Sequence, residues 1–158
     1  MGETQRPRHL ARSIGAILAG FVFVFIVSLG TDELLHITGV FPPWGASMVG
    51  FDGALLLATA YRILFGVAGS YLTARLAPDR PMQHALVGGV VGFALSIAGA
   101  VATWNKGPAF GPHWYPLALV VTALPTAWAG GKLRLMQLRA PVQSGEQHPS
   151  SIGRPASR

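Results

Sequence analysis

Ten of the twelve Lys and Arg residues lie at the two ends of the chain and in one short connector, and four long apolar segments between them are almost free of charge. Arg6, Arg8, Arg12, Arg75, Arg80, Lys132, Arg134, Arg139, Arg154 and Arg158 flank the segments, Lys106 stands alone in another connector, and Arg62 lies inside a segment. Lys and Arg concentrate in cytoplasmic loops of membrane proteins. The distribution therefore specifies a chain that crosses the membrane an even number of times with both termini inside.

About 20 apolar residues are needed to span roughly 30 Å of hydrocarbon, and four stretches approach that length: 13–29, 54–76, 85–104 and 116–133. With 51% hydrophobic and 11% charged residues, the 158-residue chain is too apolar for a soluble domain of its size. The expected fold is an all-α membrane protein, a four-helix transmembrane bundle over 12–138. Residues 1–11 form a disordered cytoplasmic arm, and 139–158, rich in Pro, Ser, Gly and Gln, form a disordered cytoplasmic tail. The expected location is the bacterial plasma (inner) membrane, multi-pass. A net charge of +6 in a soluble protein would suggest nucleic acid. Here the charges flank the spans, where they orient the chain and meet anionic lipid head groups, so the lipid bilayer is the expected partner.

The absence of cysteine excludes disulfides, thiolate metal sites and dithiol redox chemistry. A competing reading of the first span is a cleaved signal peptide, since Ser28-Leu29-Gly30 has a small-x-small pattern, but the run is long for that role. The connector from Gly30 to Gly53 carries Asp32, Glu33 and Asp52 without Lys or Arg and belongs outside. The connector 77–83, with Pro78, Asp79 and Pro81, suits a tight inner turn that makes spans two and three antiparallel neighbours. Phe41, Trp44, Trp104, Phe110, Trp114 and Tyr115 map to the outer side as an aromatic belt, with a lid formed by Phe41–Gly45 as the minor reading.

Association of helices in lipid relies on close approach at small residues. Gly88, Gly92 and Ser96 make such a ridge on span three, with Gly89 and Gly99 beside it, and this helix is expected at the bundle centre. Span two offers Gly66, Gly69, Ser70 and Thr73, and span one offers Gly15, Ala16, Ala19 and Gly20. The same faces offer a route to a homo-oligomer. Pro125 is expected to kink span four.

Arg62 is the exception to the charge map. A charged residue at the centre of a membrane helix costs about 2.5–3.5 kcal/mol on insertion scales, so it faces the bundle interior and takes a partner. Helical geometry puts it on one face with Ala58, Thr59, Gly66, Gly69 and Thr73, opposite Leu57, Ala60, Leu64, Val67 and Tyr71. It stands thirteen residues, or about 20 Å, from Arg75, in the outer half of the membrane. The expected partner is Asp32, with Glu33 beside it. If span one stays helical past Gly30, Ser28, Asp32 and His36 share a face; if Gly30 ends it, they disperse.

The ion-pair or ligand candidates are thus Arg62, Asp32, Glu33 and His36, with Tyr61, Thr59 and His113 weaker. The chemistry of the set is either a register-fixing ion pair or a pocket in which Arg62 holds an anionic group and Asp32 with His36 relays a proton. Asp32, Glu33, His36 and His113 could coordinate zinc, yet Asp-Glu-x-x-His is not a metalloprotease motif, and neither metal nor cofactor is expected. Walker loops, nucleophile elbows and a carboxylate deep in the first span are all absent.

Thr31-Asp32-Glu33-Leu34-Leu35-His36, Gly39-Val40-Phe41-Pro42, Ala58-Thr59-Ala60-Tyr61-Arg62, Leu76-Ala77-Pro78 with His84, and Pro112-His113-Trp114-Tyr115-Pro116 carry a resemblance. From Arg12 to Arg134 the chain resembles a recurring type of short four-helix bacterial inner-membrane protein for which no activity is established. The resemblance implies location and architecture and no reaction. The expected function is a non-enzymatic accessory or scaffold component. The alternatives are a small permease or ion and proton carrier using Arg62 and Asp32, and a membrane enzyme acting on a lipid or quinone.

Overall fold

A computed structural model describes the backbone of residues 5–140 and the side chains of 9–140. Within them the chain folds into four long helices, α1 (Gln5–Ile37), α2 (Asp52–Leu76), α3 (Pro81–Thr103) and α4 (Trp114–Arg139), with a 3-10 turn at Pro108–Phe110. There is no strand among the described residues. Three segments are long and apolar enough to cross a membrane: His9–Ile37, Asp52–Leu76 and Pro81–Thr103. The helix α4 is as long, but its prolines, threonines and glycines and the cations of its last turns dilute its apolar character.

The first helix extends beyond the expected 13–29 at both ends. Residues 5–11 of the expected arm continue the helix, with Pro7 in the first turn, where a missing N–H is tolerated. Residues 1–4 of that arm and 141–158 of the expected tail lie outside the described residues. At the other end α1 passes through Gly30, and the Thr31 hydroxyl donates back to Val27 O at 2.7 Å. Termination comes at Gly39, whose φ of +75° suits the left-handed residue that ends helices. The Phe41 N–H then closes onto Leu35 O at 3.0 Å.

Entry to α2 places Asp52 in the first turn, where a carboxylate favours the positive end of the helix dipole. The turn into α3 holds Arg80 at φ 38°, directly before Pro81 at the helix start. Across this end His84 Nε2 lies 2.9 Å from Ser13 Oγ, tying α3 to α1.

Small residues set the packing, as expected for helices that gain little from apolar contact in lipid. Gly20 on α1 meets Gly69 and Thr73 on α2, while Gly130 on α4 meets Val67, Ser70 and Tyr71. Gly89 on α3 seats Ala127, and Gly131 on α4 seats Met82 and Ala85. The outcome differs from the expected centrality of α3. Packing is most extensive for α4 against α3 and α2, then α1 against α2, while α3 meets α2 and α1 more lightly. The α3 ridge is only partly used: Gly88 and Gly92 touch Ile17 and Phe21, and Gly99 faces open space. The helix α4 runs through Pro125 without a break.

Candidate functional site

The continuation of α1 past Gly30 carries Asp32 to the level of Arg62 on α2. Arg62 Nη2 donates to one Asp32 oxygen, and the Tyr61 hydroxyl donates to the other. Consecutive residues on α2 thus grip both oxygens of one carboxylate on α1. The guanidinium lies 5.9 Å from the Tyr61 ring and 5.8 Å from that of Tyr115, within range for cation–π attraction. Asp32 is 13% and Arg62 28% exposed at the side chain, which leaves the pair accessible on one side. The Arg62 Nε is buried with no hydrogen-bond partner.

A small apolar cluster adjoins the pair through Tyr61 and Tyr115. Phe41, Ala58 and Tyr61 form its buried part, and Leu35, Ala54, Phe65 and Tyr115 pack around them. The first connector thus folds back through Phe41, which is 5% exposed, whereas Trp44 is 62% exposed. Phe41 and Tyr115, expected in an aromatic belt, pack inward instead, Phe41 within the buried cluster and Tyr115 against it with its ring 5.8 Å from the Arg62 guanidinium.

Of the remaining candidates, His36, Glu33 and His113 serve the connectors. His36 Nδ1 lies 2.6 Å from Pro42 O, so this nitrogen carries the proton it donates, and its ring packs on Trp44 at 3.9 Å and edge-on to Phe41. Glu33 accepts from Trp44 Nε1 at 3.1 Å. Thr59 turns its hydroxyl to Leu55 O on its own helix. His113 stacks on Trp104 at 4.2 Å and approaches Trp104 O at 2.9 Å, closing the second connector. Trp114 Nε1 donates to Asp52 at 3.0 Å, and Met48 N to Pro108 O at 2.9 Å, which joins the two connectors. Among the described residues no three His, Asp or Glu side chains converge.

Of the seven candidates, Asp32, Arg62 and Tyr61 form one site, while Glu33, His36, Thr59 and His113 stand apart from it. Tyr115 belongs to the site and was missed. Its position next to Trp114 in an aromatic run disguised it, and only its proximity to the start of α4 signals an inward role. Tyr61→Phe removes one hydrogen bond to Asp32 while keeping the ring, and is expected to lower stability by about 1–2 kcal/mol in a thermal melt.

Inward from the pair, a cavity of about 500 Å³ runs between the four helices. Its walls are mostly apolar, Phe21, Phe25, Leu95 and Leu119 among them, with hydroxyls from Ser28, Ser96, Thr122 and Thr126. Arg62 and Asp32 line one end and Thr73 and Ala85 the other. Comparison with family models, with curated proteins and with solved structures finds no match.

Proposed function

We propose that the chain is a non-enzymatic component of the bacterial inner membrane, an accessory or scaffold bundle of four spans with both ends in the cytoplasm. In this reading α4 is the fourth span, its outer end at Trp114 and its inner end at Lys132, Arg134 and Arg139. Antiparallel succession of the helices then puts the connectors 38–51 and 104–113 outside and 77–80 inside, in accord with the basic residues.

One observation carries the functional reading: Asp32 on α1 and Arg62 on α2 are paired to each other, with Tyr61 completing the carboxylate. A cation and an anion that satisfy one another across two helices fix the register of those helices, and neither is left poised for proton transfer. His36, the second group a relay would need, is held by Pro42. The lack of cysteine makes the topology testable with single-cysteine variants. In intact spheroplasts Ala46→Cys is expected to react with a membrane-impermeant maleimide, whereas Gln83→Cys and Ala140→Cys react only after lysis. Labelling of Ala140→Cys before lysis overturns the four-span arrangement. In proteoliposomes under an imposed pH gradient, wild-type protein is expected to move no more protons than empty vesicles. A flux lost in Asp32→Asn overturns the non-transport reading in favour of a carrier.

A further inference from the structure

The central cavity has both the chemistry and the shape of a lipid site. From the level of Thr73 to that of Arg62 it extends eleven residues of α2, about 16 Å. Its volume of about 500 Å³ falls within the range of ~300–1,000 Å³ typical of ligand cavities. The cavity also opens sideways. The helix α1 touches α3 at Ile17 on Gly88 and Phe21 on Gly92, and its packing on α3 is far slighter than its packing on α2. Phe25 and Leu95 line the cavity and are nonetheless 66% and 59% exposed, which marks a slot between α1 and α3. In a membrane such a slot faces hydrocarbon, so an apolar chain enters without crossing a polar surface.

The polar end selects the head group. Among the described residues, Arg62 gives Nη2 to Asp32, and its Nε has no partner. A guanidinium has five N–H donors, so capacity remains for an acceptor oxygen. Asp32 already balances the charge, and an anionic head would leave an uncompensated negative charge in an apolar surrounding. The site therefore favours an uncharged acceptor.

We propose that the cavity binds a single acyl chain that enters between α1 and α3 and ends in an uncharged carbonyl or ester oxygen hydrogen-bonded to Arg62. This inference rests on the reading of the chain as a membrane bundle with the Asp32–Arg62 pair intact. It differs from that reading in assigning the bundle a ligand.

The test uses the full chain in phosphatidylcholine nanodiscs and the methyl ester of a diazirine-bearing palmitic acid as photoprobe. Labelling is expected on cavity residues such as Phe25 and Leu95, with little on Val101 and Val121. Ser96→Phe fills the cavity and leaves Asp32 and Arg62 untouched; it is expected to abolish that labelling while the thermal midpoint stays close to wild type. Unlabelled methyl palmitate is expected to compete about tenfold better than hexadecane, the effect of one hydrogen bond to a charged donor. Palmitate anion is expected to compete as poorly as hexadecane. Arg62→Lys, which retains the cation for Asp32 but loses the planar donor fork, is expected to weaken labelling by about the same factor.

Uniform labelling that Ser96→Phe leaves unchanged overturns the cavity assignment, even where the topology and flux experiments support the membrane-component reading. Equal competition by hexadecane or by palmitate anion overturns the head-group assignment. Conversion of a wild-type dimer into a monomer by Ser96→Phe, with no labelling in either, assigns the slot to a second copy and overturns the lipid proposal.

Discussion

Arg62→Leu is expected to lower stability by about 3 kcal/mol and to remove most of the protein from the membrane fraction. Breaking a buried pair by deleting one partner is worth ~3–5 kcal/mol, because the surviving charge keeps its desolvation penalty and loses its counter-ion. The partial exposure of Arg62, 28%, places the effect at the lower end. Against a typical total of ~5–15 kcal/mol this is a large fraction, and it corresponds to a fall of roughly 10 °C in Tm. Arg62→Lys keeps a cation beside Asp32 and is expected to lose far less. Thermal unfolding in mild detergent, together with size-exclusion chromatography of the extracted variants, measures both. Similar losses for Leu and Lys at position 62 would mean that the guanidinium fork, rather than the charge, holds α1 on α2.

A single methyl group at Gly130 is expected to destabilise the protein by up to about 2 kcal/mol. A Cβ there would stand 2.5 Å from Val67 O, 2.6 Å from Tyr71 N and 2.7 Å from Ser70 Cβ. Two of those atoms belong to the α2 backbone and cannot rotate away, so α4 must withdraw from α2 along one of the broadest interfaces of the bundle. Overpacking of this kind costs about 1–3 kcal/mol, against a gain of about 1 kcal/mol from replacing glycine in a helix. The clash wins because rigid backbone opposes it. The same change at Gly99, where nothing lies within 4 Å, meets no opposing contact and is expected to stabilise by up to about 1 kcal/mol. Opposite signs for Gly130→Ala and Gly99→Ala in parallel thermal melts are the expected result. A neutral Gly130→Ala would contradict the α2–α4 packing described here.

The helical segments and the partnership of Arg62 with Asp32 were legible in the sequence for one reason. Burial of charge in an apolar helix is costly enough that the lone cation stands out and calls for a counter-ion, and the helical rise of span one brings Asp32 near its level. The small, polar face drawn for α2 matches the buried positions Ala58, Gly69 and Thr73, with Leu57 and Leu64 exposed, but Val67 and Tyr71, drawn on the opposite face, lie against Gly130 because α4 packs on that side of α2. Less legible was which glycine ridge would find a neighbour, since Gly99 and Gly89 read alike in sequence and only the fold places Ala127 against one of them. The roles of His36 and Glu33 were hidden for a similar reason. Their partners, Pro42 O and Trp44, come from a connector whose path depends on the left-handed turn at Gly39. Tyr115 was obscured because an aromatic residue at a helix end reads as an interfacial anchor until a cation is found beneath it.

A double-mutant cycle over Arg62→Leu and Asp32→Asn, read by unfolding in mild detergent, tests most directly whether the pair holds α1 to α2. The expected result is strong non-additivity. Each single variant loses stability and assembly, and the double variant, with neither charge left unpaired, recovers most of both. Additive losses in the double variant would contradict a structural ion pair at this site.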